Sequence, residues 1–84
     1  MKINNELKRH IAISLGLSIP EITAELAAGD VDTWDSLGHF KLILCIEENF
    51  KVKFRTEQIP ELVTVGKIQD ELVARGVFNG RNKD

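Results

Sequence analysis

One stretch of this sequence constrains the fold more than any other. From Asp35 to Phe50 there is no proline, and apolar residues recur as Leu37, Phe40, Leu42, Ile43, Leu44, Ile46 and Phe50. On a helix turning roughly 100° per residue, Phe40, Ile43, Ile46 and Phe50 share one face, with Leu42 at its edge. That is a core stripe. Leu37 and Leu44 fall together on a flank, two turns apart, bordered by Lys41 and Glu48. With them the apolar arc exceeds half the circumference, wider than a helix on a domain surface needs. Two explanations stand. Either the helix is central and largely buried, or Leu37 and Leu44 form an exposed apolar patch for a partner. Asp35 is a good N-cap, which puts Ser36 in the first turn.

The rest of the chain supplies packing partners. Ile3, Leu7, Ile11 and Leu15 recur every four residues and predict a first helix over about Asn4 to Leu15. Asn4 or Asn5 caps it, and Gly16 stops it. A long irregular segment follows, Leu17 to Trp34. Its Ser18-Ile19-Pro20-Glu21 run resembles a capping box with Pro in the first turn, so a short helical stretch is expected there. Leu17, Ile19, Ile22, Leu26, Val31 and Trp34 are too apolar for a free linker and predict a loop packed on the helices. Phe50-Lys51-Val52-Lys53-Phe54 alternates like a strand. No second run offers it a partner, and an isolated strand leaves its backbone unsatisfied, so it reads as a loop whose apolar residues plug the core. A short turn over Thr56 to Ile59 is limited by Pro60. A last helix, Val65 to Arg75, is capped by Thr64, buries Val65, Ile68 and Leu72, and stops at Gly76. Residues 79–84 are polar and read as a mobile tail, leaving residues 1–78 as the domain. The expected class is all-α.

Size and composition exclude several functions. A chain of 84 residues is one domain, able to build a core but not a deep cavity lined by many catalytic groups. Eleven basic and 13 acidic residues give a formal charge of −2, against the basic balance of a small nucleic-acid binder, although Lys51, Lys53 and Arg55 cluster. Cys45 is the single cysteine and there are two histidines, which excludes an internal disulfide and argues against a metal site. Met1 to Arg9 lacks the apolar segment of a signal peptide, and no apolar run approaches the ~20 residues of a membrane span, so the expected location is cytoplasmic. A hydrolase reading of Ser36 fails on its parts. His39 lies three residues on, but there is no Gly-x-Ser-x-Gly elbow and no acid to orient His39. His39 and His10 read as solvated, no catalytic residue is assigned, and the chain is not expected to be an enzyme.

The context of Ser36 says more than the serine alone. Trp34-Asp35-Ser36-Leu37-Gly38-His39 leads into Phe40-Lys41-Leu42-Ile43-Leu44 and closes with Ile46-Glu47-Glu48-Asn49-Phe50. This resembles the attachment-site signature of the acyl carrier protein family: Asp-Ser-Leu opening an apolar helix that ends in Glu-Glu-x-Phe. The resemblance covers most of the chain, from the first helix and the long loop to Val52, Phe54 and Thr64-Val65. It implies a four-helix bundle with a long loop between helices 1 and 2 and a short third helix. It also implies that a phosphopantetheinyl transferase moves phosphopantetheine from coenzyme A onto Ser36, with Asp35 and Leu37 as motif neighbours. Helix N-terminal amides favour a phosphate, so the position suits that group. Leu37, Lys41, Leu44, Glu47 and Glu48 are the expected partner-facing residues of a monomer that meets acyl- or aminoacyl-loading and acyl-transferring enzymes.

The chain also departs from that family. Its central helix region has three acids, Asp35, Glu47 and Glu48, against Lys41, and Gly38 stands where an acid is often found. Carriers of housekeeping fatty acid synthesis are strongly acidic there. A specialised pathway is the expected setting: secondary metabolites, cell-surface polysaccharide or lipid tailoring, or an aminoacyl carrier. A peptidyl or aminoacyl carrier is the alternative, and a helical interaction domain without a prosthetic group is a remote one.

Overall fold

Asparagine 4 starts the first helix. Its side-chain oxygen accepts from the amides of Glu6 and Leu7, and helix α1 runs Asn5–Leu15 in the computed structural model, which describes residues 1–78. Gly16 closes α1 in the left-handed region at φ 71°, a conformation that suits a residue without a Cβ. A one-turn 3₁₀ helix, η1, spans Ile19–Glu21. The Glu21 carboxylate accepts from both the amide and the hydroxyl of Ser18, at 2.8 and 3.0 Å. Helix α2 spans Ser36–Phe50, a second 3₁₀ helix, η2, spans Thr56–Glu61, and α3 spans Val65–Ala74. Thr64 caps α3 by accepting from the amide of Lys67 at 3.0 Å.

The described residues are all-helical, with no strand beyond one isolated antiparallel bridge between Ala27 and Thr64. The expected helices stand, with shifts of a residue or two at their ends. The expected turn from Thr56 reaches Glu61 as a 3₁₀ helix, with Pro60 inside it. The alternating segment after Phe50 is a loop, as its lack of a partner implied. No helix among the described residues is long and apolar enough to cross a membrane. The polar tail, residues 79–84, lies outside the described residues.

One core joins the three α-helices. Leu7, Ile11 and Leu15 of α1 meet Leu42, Ile43 and Ile46 of α2 and Val65, Ile68 and Leu72 of α3, with Ile22, Trp34, Phe54 and Leu62 from the connections. The long loop is therefore part of the core, as its apolar content implied, except at Ile19, which is 41% exposed. It is also bonded to the segment before α3 and to the first turn of α3: the Ala28 amide reaches the Val63 carbonyl, and the amides of Val65 and Gly66 reach the carbonyls of Leu26 and Ala24, at 2.9–3.0 Å. Gln69 is the one buried polar side chain among the core residues. Its two ends are both satisfied, by the Asn4 amide at 2.7 Å and the Lys2 carbonyl at 2.8 Å, which ties the N-terminus to α3.

Two positions of the core differ from expectation. Phe40 is 53% exposed rather than buried, because the face α2 turns inward is centred on Leu42, Ile43 and Ile46. Phe50 is half-buried at the margin, edge-to-face with His10 at 5.5 Å and with Phe78 at 5.7 Å. His10 is accordingly half-buried against Phe50, not fully solvated.

Candidate functional site

The start of α2 is held from three directions. The Thr33 hydroxyl donates to the Leu15 carbonyl at 2.7 Å and so satisfies the free end of α1. The Gly29 amide reaches the Trp34 carbonyl at 2.9 Å, closing a tight turn ahead of the helix. Asp35 then caps α2, its carboxylate accepting from the Gly38 amide at 2.8 Å. Since Asp35 supplies the cap, the Ser36 hydroxyl is not needed for it. Ser36 is exposed, and its hydroxyl has no hydrogen bond to any described residue.

Gly38 has a steric reason to be glycine. A Cβ built there would collide with the carbonyl oxygen of Thr33 and lie 3.0 Å from its carbonyl carbon. The loop presses directly onto the first turn of α2, and any side chain at this position, acidic or not, would push it away. The absence of an acid at position 38 thus follows from packing.

His39 is not solvated, contrary to expectation. Its Nδ1 accepts from the buried Trp34 Nε1–H at 2.9 Å, and the two rings stack at 6.1 Å between centroids. The indole nitrogen is a donor only, so the imidazole carries its proton on Nε2. Nε2 in turn donates to the Ile59 carbonyl at 2.8 Å. His39 therefore joins the loop, α2 and η2. Sequence reasoning missed this because both partners come from segments without regular periodicity.

The outward face of α2 rules out the buried reading of Leu37 and Leu44. Leu37, Phe40 and Leu44 are 62%, 53% and 48% exposed. Their spacing, i, i+3 and i+7, makes a continuous apolar stripe along one side of the helix, starting one residue from Ser36. Lys41 and Glu48 are exposed beside it. Glu47 differs from the rest of the expected partner-facing set: it is half-buried, and its carboxylate accepts from the Phe54 amide at 2.9 Å, holding the loop that follows α2. Phe40 joins the stripe unpredicted, since the wheel had placed it on the core face with Ile43, Ile46 and Phe50.

No protein-family model matches the chain, and no curated protein is significantly similar to it. The chemistry open to the site rests on its own residues. It offers an accessible hydroxyl at a capped helix start and an apolar surface beside it. Among the described residues no group of three or more His, Cys, Asp or Glu side chains is placed to hold a metal ion.

Proposed function

We propose that this chain is an acyl carrier protein that bears a phosphopantetheine arm on Ser36 and presents the arm's cargo to partner enzymes. The three α-helices and η2 are read as the four helices of such a carrier, with η2 as the short third one and 17–35 as the long loop. The observation that carries the proposal is the combination at the start of α2. Asp35 takes over the capping role and leaves the Ser36 hydroxyl exposed and unbonded, in the first turn of a helix whose apolar face points outward.

The residues present fit the group. A phosphodiester on Ser36 would sit by the first-turn amides of α2, where negative charge is favoured. Attachment forms a bond from the Ser36 Oγ to the phosphorus of coenzyme A that carries the pantetheine, releases the adenosine bisphosphate half, and gives the hydroxyl proton to a base of the transferase. The chain needs no base of its own for this. Once bound, the arm supplies a terminal thiol that holds an acyl or aminoacyl group as a thioester. Leu37, Phe40 and Leu44 form the apolar centre of the docking face, with Lys41 and Glu48 at its charged rim. Such a face suits a short-lived interface, in which rim charges govern encounter and choice of partner more than final affinity. With Glu47 engaged by Phe54, the rim is nearly neutral, which favours partners other than those that select a strongly acidic carrier.

The test is mass analysis of the intact chain after incubation with coenzyme A and a broad-specificity phosphopantetheinyl transferase. One added arm is expected. An unmodified chain, with the transferase active on a control carrier, would refute the proposal. Adenylating enzymes and acyl donors then distinguish an acyl from an aminoacyl carrier.

A further inference from the structure

We infer that His39 locks the start of α2 to η2 and thereby keeps the cargo of the arm outside the helical core, which fits this carrier to short or polar acyl groups rather than long apolar ones. The inference rests on the reading of Ser36 as the attachment point.

An apolar cargo on a flexible arm has two places to go. It stays in solvent or on a partner, or it enters the carrier's own interior, where each buried methylene favours the sheltered state roughly fourfold. Entry next to Ser36 has a defined geometry here. Ser36 and His39 are neighbours at i and i+3 on α2, and Ile43, fully buried, lies one turn further along the same side. The direct way from Ser36 to Ile43 thus leads past His39, on the side of α2 that meets η2.

That seam is bonded shut. Both imidazole nitrogens are in use, Nδ1 by the Trp34 indole and Nε2 by the Ile59 carbonyl, at 2.9 and 2.8 Å. Trp34 is fully buried, and Ile59 is itself packed against the core. A methylene chain sliding between α2 and η2 would separate His39 from Ile59. It has no polar atom with which to replace either bond, and unpaired buried polar groups are costly. Gly38 closes the other side by letting the Thr33 carbonyl rest on the helix.

The experiment loads the chain with acetyl and with octanoyl arms, using the transferase and the matching acyl-coenzyme A. Hydroxylamine cleavage of each is followed by intact mass and normalised to cleavage of the free acyl-coenzyme A. The expected result is that the two normalised rates agree within about twofold, whereas burial of only three methylenes would separate them by roughly 60-fold. Protection of the octanoyl form by tenfold or more would overturn the inference. In His39→Ala the octanoyl form should become protected relative to wild type. Equal rates in a folded variant would show that His39 is not the lock. A readout independent of the arm comes from nitrogen chemical shifts of the unmodified chain. The Nε2–H tautomer of His39 is expected, with slowly exchanging N–H protons on His39 and Trp34, and the Nδ1–H tautomer would overturn the lock even if His39→Ala does not fold. A chain that accepts no arm fails the carrier reading; one that accepts the arm and shelters octanoyl fails this inference alone.

Discussion

Ile43 and Leu44 are adjacent in sequence and opposite in environment, which makes their alanine variants a direct probe of α2. Ile43 is 0% exposed and Leu44 is 48% exposed. Truncating a fully buried Ile typically costs ~2–5 kcal/mol, from lost transfer energy and the cavity left behind. For Leu44 only about half the side chain leaves an apolar environment. Burying a whole Leu is worth ~1.5–3 kcal/mol, so the expected loss is about 1 kcal/mol. With a urea slope near ~1 kcal/mol per molar for a small domain, the midpoint should fall by about 1 M for Leu44→Ala and by ~2 M or more for Ile43→Ala. The second assay is the rate at which a partner enzyme acts on the loaded arm. A central apolar contact is worth ~1–2 kcal/mol at an interface, so Leu44→Ala should slow this step roughly 5–30-fold. The reasoning is refuted if Leu44→Ala unfolds as readily as Ile43→Ala while transfer, corrected for the folded fraction, stays at the wild-type rate.

Three further outcomes are expected. Gly38→Ala should lower stability by ~1–3 kcal/mol in a urea titration, since the methyl group meets the Thr33 carbonyl; alanine's better helix propensity, about 1 kcal/mol, would raise stability instead if that contact were slack. Glu47→Ala should cost ~1.5–3 kcal/mol through the lost charged hydrogen bond to the Phe54 amide, while Glu48→Ala stays within about 0.5 kcal/mol; equal effects would contradict the division of these two carboxylates. Acid should weaken the fold through Glu21, Glu57 and Glu71. Their carboxyls are held below the ordinary value, Glu21 by the Ser18 backbone and hydroxyl, Glu57 by its own backbone amide and Arg55, and Glu71 by Gln58 and then Arg75. Because the folded values are depressed, this stabilisation is present above the unfolded value and lost as pH falls through the folded ones. Circular dichroism at fixed urea should show the loss below the ordinary carboxylate range, and Glu71→Gln should shrink it; an acid limb unchanged by that substitution would contradict the assignment for Glu71.

The parts of the fold with strong periodicity were legible from sequence. Leu7, Ile11 and Leu15, and likewise Val65, Ile68 and Leu72, repeat at helical spacing and are buried where that spacing puts them. Caps were legible too, because Asn4, Asp35 and Thr64 carry side-chain acceptors at helix starts. The end of α2 at Phe50 was legible from where the apolar pattern stops rather than from a stop residue: Lys51 takes the left-handed conformation at φ 58°, usually filled by glycine. Phe40 and Phe50 were misplaced for different reasons. Phe40 lies between Ile43 and Leu44 on the wheel, at the margin of the core stripe, and a wheel cannot say how far the neighbouring elements reach round the helix; Phe50 lies within the stripe but is the last residue of α2, at the margin of the core. The Trp34–His39–Ile59 connection depends on the paths of two irregular segments, and the role of Gly38 on one carbonyl from a loop, so neither has a periodic signature. Ser36 stood out through its neighbours, Asp35 and Leu37, and through the helix they open.

The most direct measurement is mass spectrometry of proteolytic fragments from the chain treated with coenzyme A and transferase, alongside Ser36→Ala treated identically. One phosphopantetheine on the peptide containing Ser36, and an alanine variant that folds and stays unmodified, is the predicted result. An arm on another residue, or on the alanine variant, would contradict the assignment of Ser36.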